Sequence, residues 1–554
     1  MKAGSAAAAA LALALLAVAR LLAAPPAAPA AAHPPGPLFV TGDRCMACHN
    51  GLLTPAGEEF SFGADWRASM MANSARDPYW QAGVRREVTD HPESRAAIEN
   101  ECSRCHMPMA NVEARAAGGL GGVFVHLPPL YQETGHQPAA AAPAAGLLAA
   151  DGVSCTVCHQ IQPGNLGTRE SLVGGFEIDL AAPPGERTIF GPFEIDAGRT
   201  ALMRSAVDYR PAAGAHVQSS ELCATCHTLI THSLGPGGEV IGELPEQVPY
   251  EEWLHSAYRE ERSCQSCHMP VVAGEMPIAS VLGEPRAGVS RHTFRGANFF
   301  MLRLLNRYRA ELGVAALPHE LDAAARRTEE HLASESARVA VARAERVGGR
   351  LEIEVAIDNL AGHKLPTAYP SRRAWLHLVV RDRDGRAVFE SGALGADAAI
   401  AGNDNDEDAA RFEPHHERIE RPDQVQVYET IMAGPDGAVT TGLLTAVRFV
   451  KDNRLLPHGF DKATAGEAIA VHGAAAGDPD FTGGGDRVRY RIDPGGAPGP
   501  FTVEAALWYQ PIAYRWARNL EPYAAAETAR FAGYYRAMAR SSAIVLARGA
   551  ATVE

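Results

Sequence analysis

All 10 cysteines of this chain stand in five Cys-x-x-Cys-His units. The units are Cys45/Cys48/His49, Cys102/Cys105/His106, Cys155/Cys158/His159, Cys223/Cys226/His227 and Cys264/Cys267/His268. Two thiols three residues apart share one face of a helical turn, and the histidine follows on that turn. This is the attachment signal for c-type haem, in which the thiols form thioethers with the vinyl groups and the histidine is the proximal iron ligand. A zinc site needs four ligands and usually pairs two such units. A thioredoxin-like motif occurs once per βαβ domain. An exported protein does not carry ten idle thiols. Five copies that consume every cysteine therefore point to five covalently attached haem c groups.

The first residues read as an export signal. Lys2 precedes an unbroken apolar run from Ala6 to Ala19, Arg20 ends it, and Ala28-Pro29-Ala30 offers small residues for cleavage. The run is shorter than the roughly 20 apolar residues of a membrane span, so residues 1–32 are expected to be a signal peptide. The mature chain is expected to have no transmembrane segment and to be periplasmic or extracellular at the cell surface. The net charge is −14 and only four residues are lysine, which argues against nucleic acid as a partner.

Three regions follow. Residues 37–300 hold all five motifs, separated by Gly- and Pro-rich stretches such as Gly118–Gly122 and Pro183–Pro184. Regular structure is sparse by pattern there, as expected where porphyrins fill the interior. Residues 301–346 read as a helical linker, with Leu302, Leu304, Leu305 and Tyr308 at helical spacing and an Ala/Glu/Arg-rich run from Leu321 to Arg346. Residues 347–550 change character. Leu351, Ile353, Val355 and Ile357 alternate with polar residues, and further strand candidates follow at Trp375–Val380, Ala387–Phe389, Val425–Ile431, Leu443–Val450, Val488–Ile492 and Phe501–Tyr509. Asp384-Gly385 and Pro435-Asp436-Gly437 read as turns. The expected fold is multidomain: a mainly α and irregular multihaem domain, a helical linker, and a C-terminal β-sandwich closed by a helix at Glu521–Ala543.

The sixth iron ligand decides what such a protein does, because a capped iron carries electrons and an open one can do chemistry. Of the 21 histidines, those outside the motifs supply the candidates. His216 precedes Cys223, His292 closes the motif region, His136 lies in the loop before Cys155, and His363 sits at a strand-to-loop transition. His126, His232, His255 and His91 are weaker candidates. Met71, or Met70 beside it, is a thioether candidate; the alternative is that both pack a helix against Trp66. A faint repeat frames this question. Trp66-x-x-Ser69-x-Met71 precedes the second motif, Trp253-x-x-Ser256-x-Tyr258 precedes the fifth, and both of those motifs continue as Cys-His-Met-Pro.

The segments Asp151 to His159, Glu221 to His227 and Ser263 to Pro270 resemble the multihaem cytochrome c superfamily of cytochrome c-554, pentahaem nitrite reductase and hydroxylamine oxidoreductase, and most closely the cytochrome c-552/4 type. In such proteins the Trp-x-x-Ser-x-His phrase usually ends in a distal histidine; here Met71 and Tyr258 stand in its place. The stretch from Gly362-His363-Lys364-Leu365-Pro366 through Arg373-Ala374-Trp375 looks like the β-domain appended to some exported multihaem cytochromes. The resemblance implies closely packed haems that pass electrons between redox proteins. The Cys-x-x-Cys-Lys motif of the pentahaem nitrite reductases does not occur, and five motifs do not reach the eight haems of hydroxylamine oxidoreductase. Electron transfer is thus the leading expectation. The alternatives are an oxidoreductase of a small nitrogen or sulfur compound at one open haem, and a subunit of an oligomeric haem filament.

Two other clusters stand out. The acidic run Asn403 to Asp408 reads as a solvated loop in preference to a calcium site, since it lacks EF-hand spacing. His415-His416 reads as a surface loop.

Overall fold

The computed structural model describes residues 37–127 and 144–554. The export signal and His136 lie outside the described residues. None of the described helices is long and apolar enough to cross a membrane.

The motif region is built from short helices and two-stranded sheets. Every motif lies on or at the end of a helical segment: Gly42–Met46, Arg95–His106, Cys155–Cys158, Ser220–His227 and Cys264–His268. Hydrogen bonds from His49 N to Cys45 O (3.0 Å) and from His159 N to Cys155 O (3.1 Å) show the expected single turn. The two Trp-x-x-Ser phrases also share local structure. Each tryptophan lies at the end of a six-residue helix, Phe62–Arg67 or Pro249–Leu254, and each indole N–H donates to a main-chain oxygen at 2.9 Å, Val153 O and Arg262 O respectively.

The C-terminal region holds two larger sheets. One runs Arg418–Ile419, Gly485–Ile492, Arg350–Asn359, Ala337–Val347; the other runs Ala387–Ser391, Arg373–Arg381, Phe501–Gln510, Ile544–Val553, with Val427–Tyr428 added beside Arg373–Arg381. Alternation explains why each sheet has an apolar side. Leu351, Ile353, Val355 and Ile357 from the first and Leu376, Leu378, Val503 and Leu507 from the second all enter one core. The hairpin at Asp384-Gly385 turns as expected, with Gly385 at φ 79° and its N–H on Asp382 O.

Three boundaries differ from the sequence reading. The expected linker is not a connecting segment: helix Phe299–Arg307 buries Phe299, Phe300, Met301, Leu302, Leu304 and Leu305 in the core shared with the sheets, and helix Pro318–Glu335 packs against it. The helical run stops at Glu335: the β-branched Val339 and Val341 lie in Ala337–Val347, which pairs with Arg350–Asn359 as an edge strand. The closing helix is shorter, Ala526–Met538, and a last strand, Ile544–Val553, follows it and pairs with Phe501–Gln510. That helix clamps the C-terminal region to the motif region. It packs on Pro78–Asp90, where Arg85 grips Glu527 through two bonds of 2.9 Å.

The acidic run is not wholly solvated. Asp406 is buried and takes a two-pronged bond from the buried Arg373 guanidinium (2.8 and 2.9 Å), while its Oδ2 also accepts the Ile400 N–H. Asp404 pairs with Arg411 instead. With Asp406 committed to an arginine, the run is a structural clasp. Removing one partner strands a buried charge, a change that costs about 3–5 kcal/mol. Asp406→Ala is therefore expected to lower stability by about that amount in denaturant unfolding, and added calcium is expected to leave the unfolding midpoint unchanged.

Candidate haem-binding site

A cavity of about 1670 Å³ runs through the motif region. This exceeds the roughly 300–1,000 Å³ of an ordinary single-ligand pocket. Eight motif cysteines line it, Cys45, Cys48, Cys155, Cys158, Cys223, Cys226, Cys264 and Cys267, together with His49, His159, His227 and His268. Leu202, Val271, Val281 and Leu282 also line it, yet they are 41 to 66% exposed. Apolar side chains left open around a cysteine-lined cavity fit a large apolar disc that would cover them. Cys102, Cys105 and His106 do not line this cavity, and stand beside it.

The motifs touch one another through their thiols. Cys45 lies within hydrogen-bond reach of Cys155, Cys105 of Cys226, and Cys223 of Cys264, while Cys158 and Cys226 pack on the same apolar cluster. All ten cysteines are free of disulfides. The contacts define an order: first motif to third, third to fourth, and from the fourth to both second and fifth.

Four of the five motif histidines have their rings fixed from behind. Nδ1 lies 2.7 Å from Ile278 O in His49, 3.1 Å from Ser74 O in His106, 2.6 Å from Phe190 O in His159 and 2.6 Å from Arg295 O in His268. A carbonyl only accepts, so Nδ1 carries the proton and Nε2 keeps its lone pair for a metal. Burial pushes the pKa of His106 and of His268 down to about 4, and those of His159 and His227 in the same direction. These rings are therefore neutral at neutral pH, the state a metal ligand needs. Trp80 stacks flat on His106, with centroids 4.3 Å apart and planes at 3°.

The distal candidates separate clearly. Imidazole nitrogens bind a first-row divalent metal at about 2.0–2.1 Å and the ring centre lies about 1 Å further back, so two rings capping one metal from opposite sides have centres roughly 6 Å apart. His159 and His292 have centroids 6.2 Å apart with planes at 15°; His268 and His363 are 6.3 Å apart at 9°. His292 Nδ1 is 3.2 Å from Ser290 O and His363 Nδ1 is 2.9 Å from Lys364 O, so both present a free Nε2. Both rings are held neutral by burial, His292 down to about 3. His216 is arranged the other way. Its Nε2 is 3.0 Å from Ile161 O, which leaves Nδ1 as the available nitrogen.

Other candidates are placed differently. Met71 is half-buried, lines the cavity and packs with Leu38, Phe39, Met109 and Val153. Met70 lines the cavity and packs against the large core. Tyr258 Oη donates to Leu360 O at 2.9 Å, so the hydroxyl is committed to the main chain. His255 Nε2 sits on Asp461 O, and His232 lies 3.9 Å from Glu243 on the surface.

One residue escaped the sequence reading. His331 lines the cavity with its centroid 6.2 Å from that of His268, edge-on at 71°. Its Nδ1 is 3.3 Å from Glu335, and Glu335 also pairs with Arg295, whose carbonyl anchors His268. The signal was available: His331 is one turn beyond Thr328 on the buried face of Pro318–Glu335.

His415 is the opposite case. It is buried, not on a surface loop, and with Asp478 and Asp486 it forms a cluster with metal-like spacing. The hydrogen bonds exclude that use. Gln426 Nε2 (2.8 Å) and Asn453 Nδ2 (3.1 Å) both point at His415 Nδ1. Neither amide can turn over, because Gln426 Oε1 accepts His416 N–H and Asn453 Oδ1 accepts Glu429 N–H. Nδ1 must therefore accept, and Nε2 carries the proton it donates to Asp478 at 3.0 Å. A metal on Nε2 would drive that proton to Nδ1, against two donors.

Comparison with known proteins agrees with this architecture. No protein-family model matches the chain, and no curated protein matches it. Among solved structures, the chain is similar to a penta-heme cytochrome c552 from Thermochromatium tepidum, with 16% sequence identity and a TM-score of 0.54 over 93% of this chain and 100% of that one. The chain thus shares the fold of a multihaem cytochrome c.

His292→Ala is expected to convert one haem of the oxidised protein from low-spin to high-spin, with added imidazole restoring the low-spin spectrum. Visible and EPR spectra of the variant beside the parent check this.

Proposed function

We propose that the chain is an exported pentahaem c-type cytochrome that passes electrons between redox proteins. The observation that carries this reading is the contact pattern of the motifs. A haem held by its thioethers would lie against its own Cys-x-x-Cys-His turn, so motifs whose thiols lie together would bring their haems near one another. The ten cysteines are the thioether anchors, and His49, His106, His159, His227 and His268 the proximal ligands. His292 caps the haem of the third motif and His363 that of the fifth. When bound, each haem supplies a one-electron iron centre.

What the chain's own residues do follows from the geometry. Main-chain carbonyls hold the Nδ1 protons and aim Nε2 inward. Apolar walls keep water from the centres and lower the local dielectric, which strengthens nearby charges. The fourth motif is the junction, since it adjoins the second, third and fifth motifs and a haem held there would connect the two branches. Arg372 reaches into the cavity close enough to His227 to lower its pKa. A fixed cation beside an iron centre favours the reduced state, so Arg372 raises the potential of the junction. Residues 37–300 form the haem domain, and the two sheets that run from Ala337 to Val553 form a β-sandwich that completes it. The signal at 1–32 directs the chain to the periplasm or cell surface.

The purified, oxidised protein is expected to contain five haems by pyridine haemochrome assay and to show only low-spin spectra. A high-spin haem whose spectrum shifts with nitrite or hydroxylamine would overturn the carrier reading in favour of an enzyme. Arg372→Gln is expected to lower one midpoint in a spectroelectrochemical titration and to leave the haem count at five.

A further inference from the structure

Glu252 is fully buried on the helix Pro249–Leu254, twelve residues before the last motif begins. Its carboxylate faces the C-terminal region and not the haem cavity. Oε2 accepts the main-chain N–H of Lys364 (3.1 Å) and the hydroxyl of Thr367, and Oε1 is 2.9 Å from the Arg454 guanidinium. Two of these three donors lie in the short stretch that follows His363. Behind them the charges are matched: Lys364 Nζ and Arg454 both bind Asp452, at 2.7 Å each, and all of these side chains are buried. Two acids and two bases thus fill a closed site between the regions, with the carboxylate of Glu252 the one member contributed by the motif region.

Other bonds hold the ends of the loop. Asn359 Nδ2 donates to His363 O (2.9 Å), Tyr258 Oη donates to Leu360 O (2.9 Å), and Leu365 and Leu455 exchange two main-chain bonds of 2.9 Å; between them, Glu252 is the acceptor for Lys364 N–H and the Thr367 hydroxyl. Gly362 lies where a Cβ would come within 3.4 Å of Tyr258, so the loop runs hard against the motif region. The segment that carries Glu252, Trp253 and Tyr258 also leads directly into Cys264. It therefore adjoins the fifth motif at one end and touches the loop bearing His363 at the other.

We propose that Glu252 is a positioning residue for His363, holding the loop of the C-terminal region so that its imidazole reaches the iron of the fifth motif. The proposal rests on the reading of His363 as that ligand. Without the carboxylate, Lys364 N–H and Thr367 lose their acceptor and Arg454 retains an unbalanced buried charge. The loop then relaxes out of the cavity, and one iron loses its sixth ligand while four keep theirs.

The test uses the full-length holoprotein, with haem content confirmed in every variant. His363→Ala, Glu252→Gln, Glu252→Ala and Thr367→Val are compared by EPR and visible spectra in the oxidised state. His363→Ala is expected to show one high-spin haem in five. Glu252→Ala should approach the same fraction, with Glu252→Gln and Thr367→Val lower. Exogenous imidazole should return each to low-spin, which a collapsed pocket would not allow. Thr367→Val keeps the ion cluster intact and so reports on the loop even if the Glu252 variants fail to accumulate. One high-spin haem in His363→Ala, with every Glu252 and Thr367 variant wholly low-spin and unshifted in midpoint potential, overturns the positioning role and leaves the ligand reading standing. Five low-spin haems in His363→Ala overturn the ligand reading and the proposal with it.

Discussion

An apolar cavity of about 1670 Å³ lined by eight cysteines is not a state that a polypeptide interior adopts for its own sake. Protein interiors pack as densely as organic crystals, and a void forfeits the dispersion contacts of every atom that lines it. Such a cavity persists only if the wall is built to meet a filling the sequence does not encode. The wall here has that character. Side chains do not interdigitate across the space; the backbone is pinned by local hydrogen bonds, short helices and two-stranded sheets. The apolar residues on its rim are left open, and polar anchoring is directed outward, from Nδ1 of four motif histidines to carbonyls behind them. The rigidity of the site thus lies in the main chain, which fixes where each ring can point before any metal arrives.

That architecture explains why the C-terminal region packs so closely on the motif region. A shell around a cofactor cluster has little core of its own. The principal hydrophobic core is built instead from the two large sheets and the helices Phe299–Arg307 and Pro318–Glu335, and Tyr79 and Ala82 of the motif region join it directly. Stability is concentrated in one half of the molecule and chemistry in the other. The contacts between them, Arg85 with Glu527 and Glu252 with Arg454, transmit the first to the second.

The motif turns were legible in the sequence because their geometry is local: five residues on one turn place two thiols and a histidine together whatever surrounds them. The strands were legible for the same reason, since alternation at Leu351–Ile357 is a property of one segment. What depended on distant partners was not. Helical spacing continued through Arg346 by composition, yet pairing with Arg350–Asn359 turned Ala337–Val347 into a strand. His415 looked like a surface residue because Asp478, Gln426 and Asn453, which bury and satisfy it, are far along the chain. His331 was on an apolar helical face, but nothing local told that this face turns towards His268.

The distal ligands show the same distinction at its sharpest. Read along the chain, Tyr258 marks a place where a histidine is missing from a repeated phrase. In space, its hydroxyl holds Leu360 O, three residues from His363, and His363 lies parallel to His268 at the separation one shared metal requires. A ligand carried by the local phrase would be fixed by its own helix, independently of anything downstream. A side chain carried by a loop from another region is fixed only when that region is folded and seated, so the placement of His363 beside His268 depends on the sheets, the buried ion cluster and Tyr258 together. Under the coordination proposed for His363, Tyr258 is then not a lost ligand but a hydroxyl that ties the ligand's loop to the motif region.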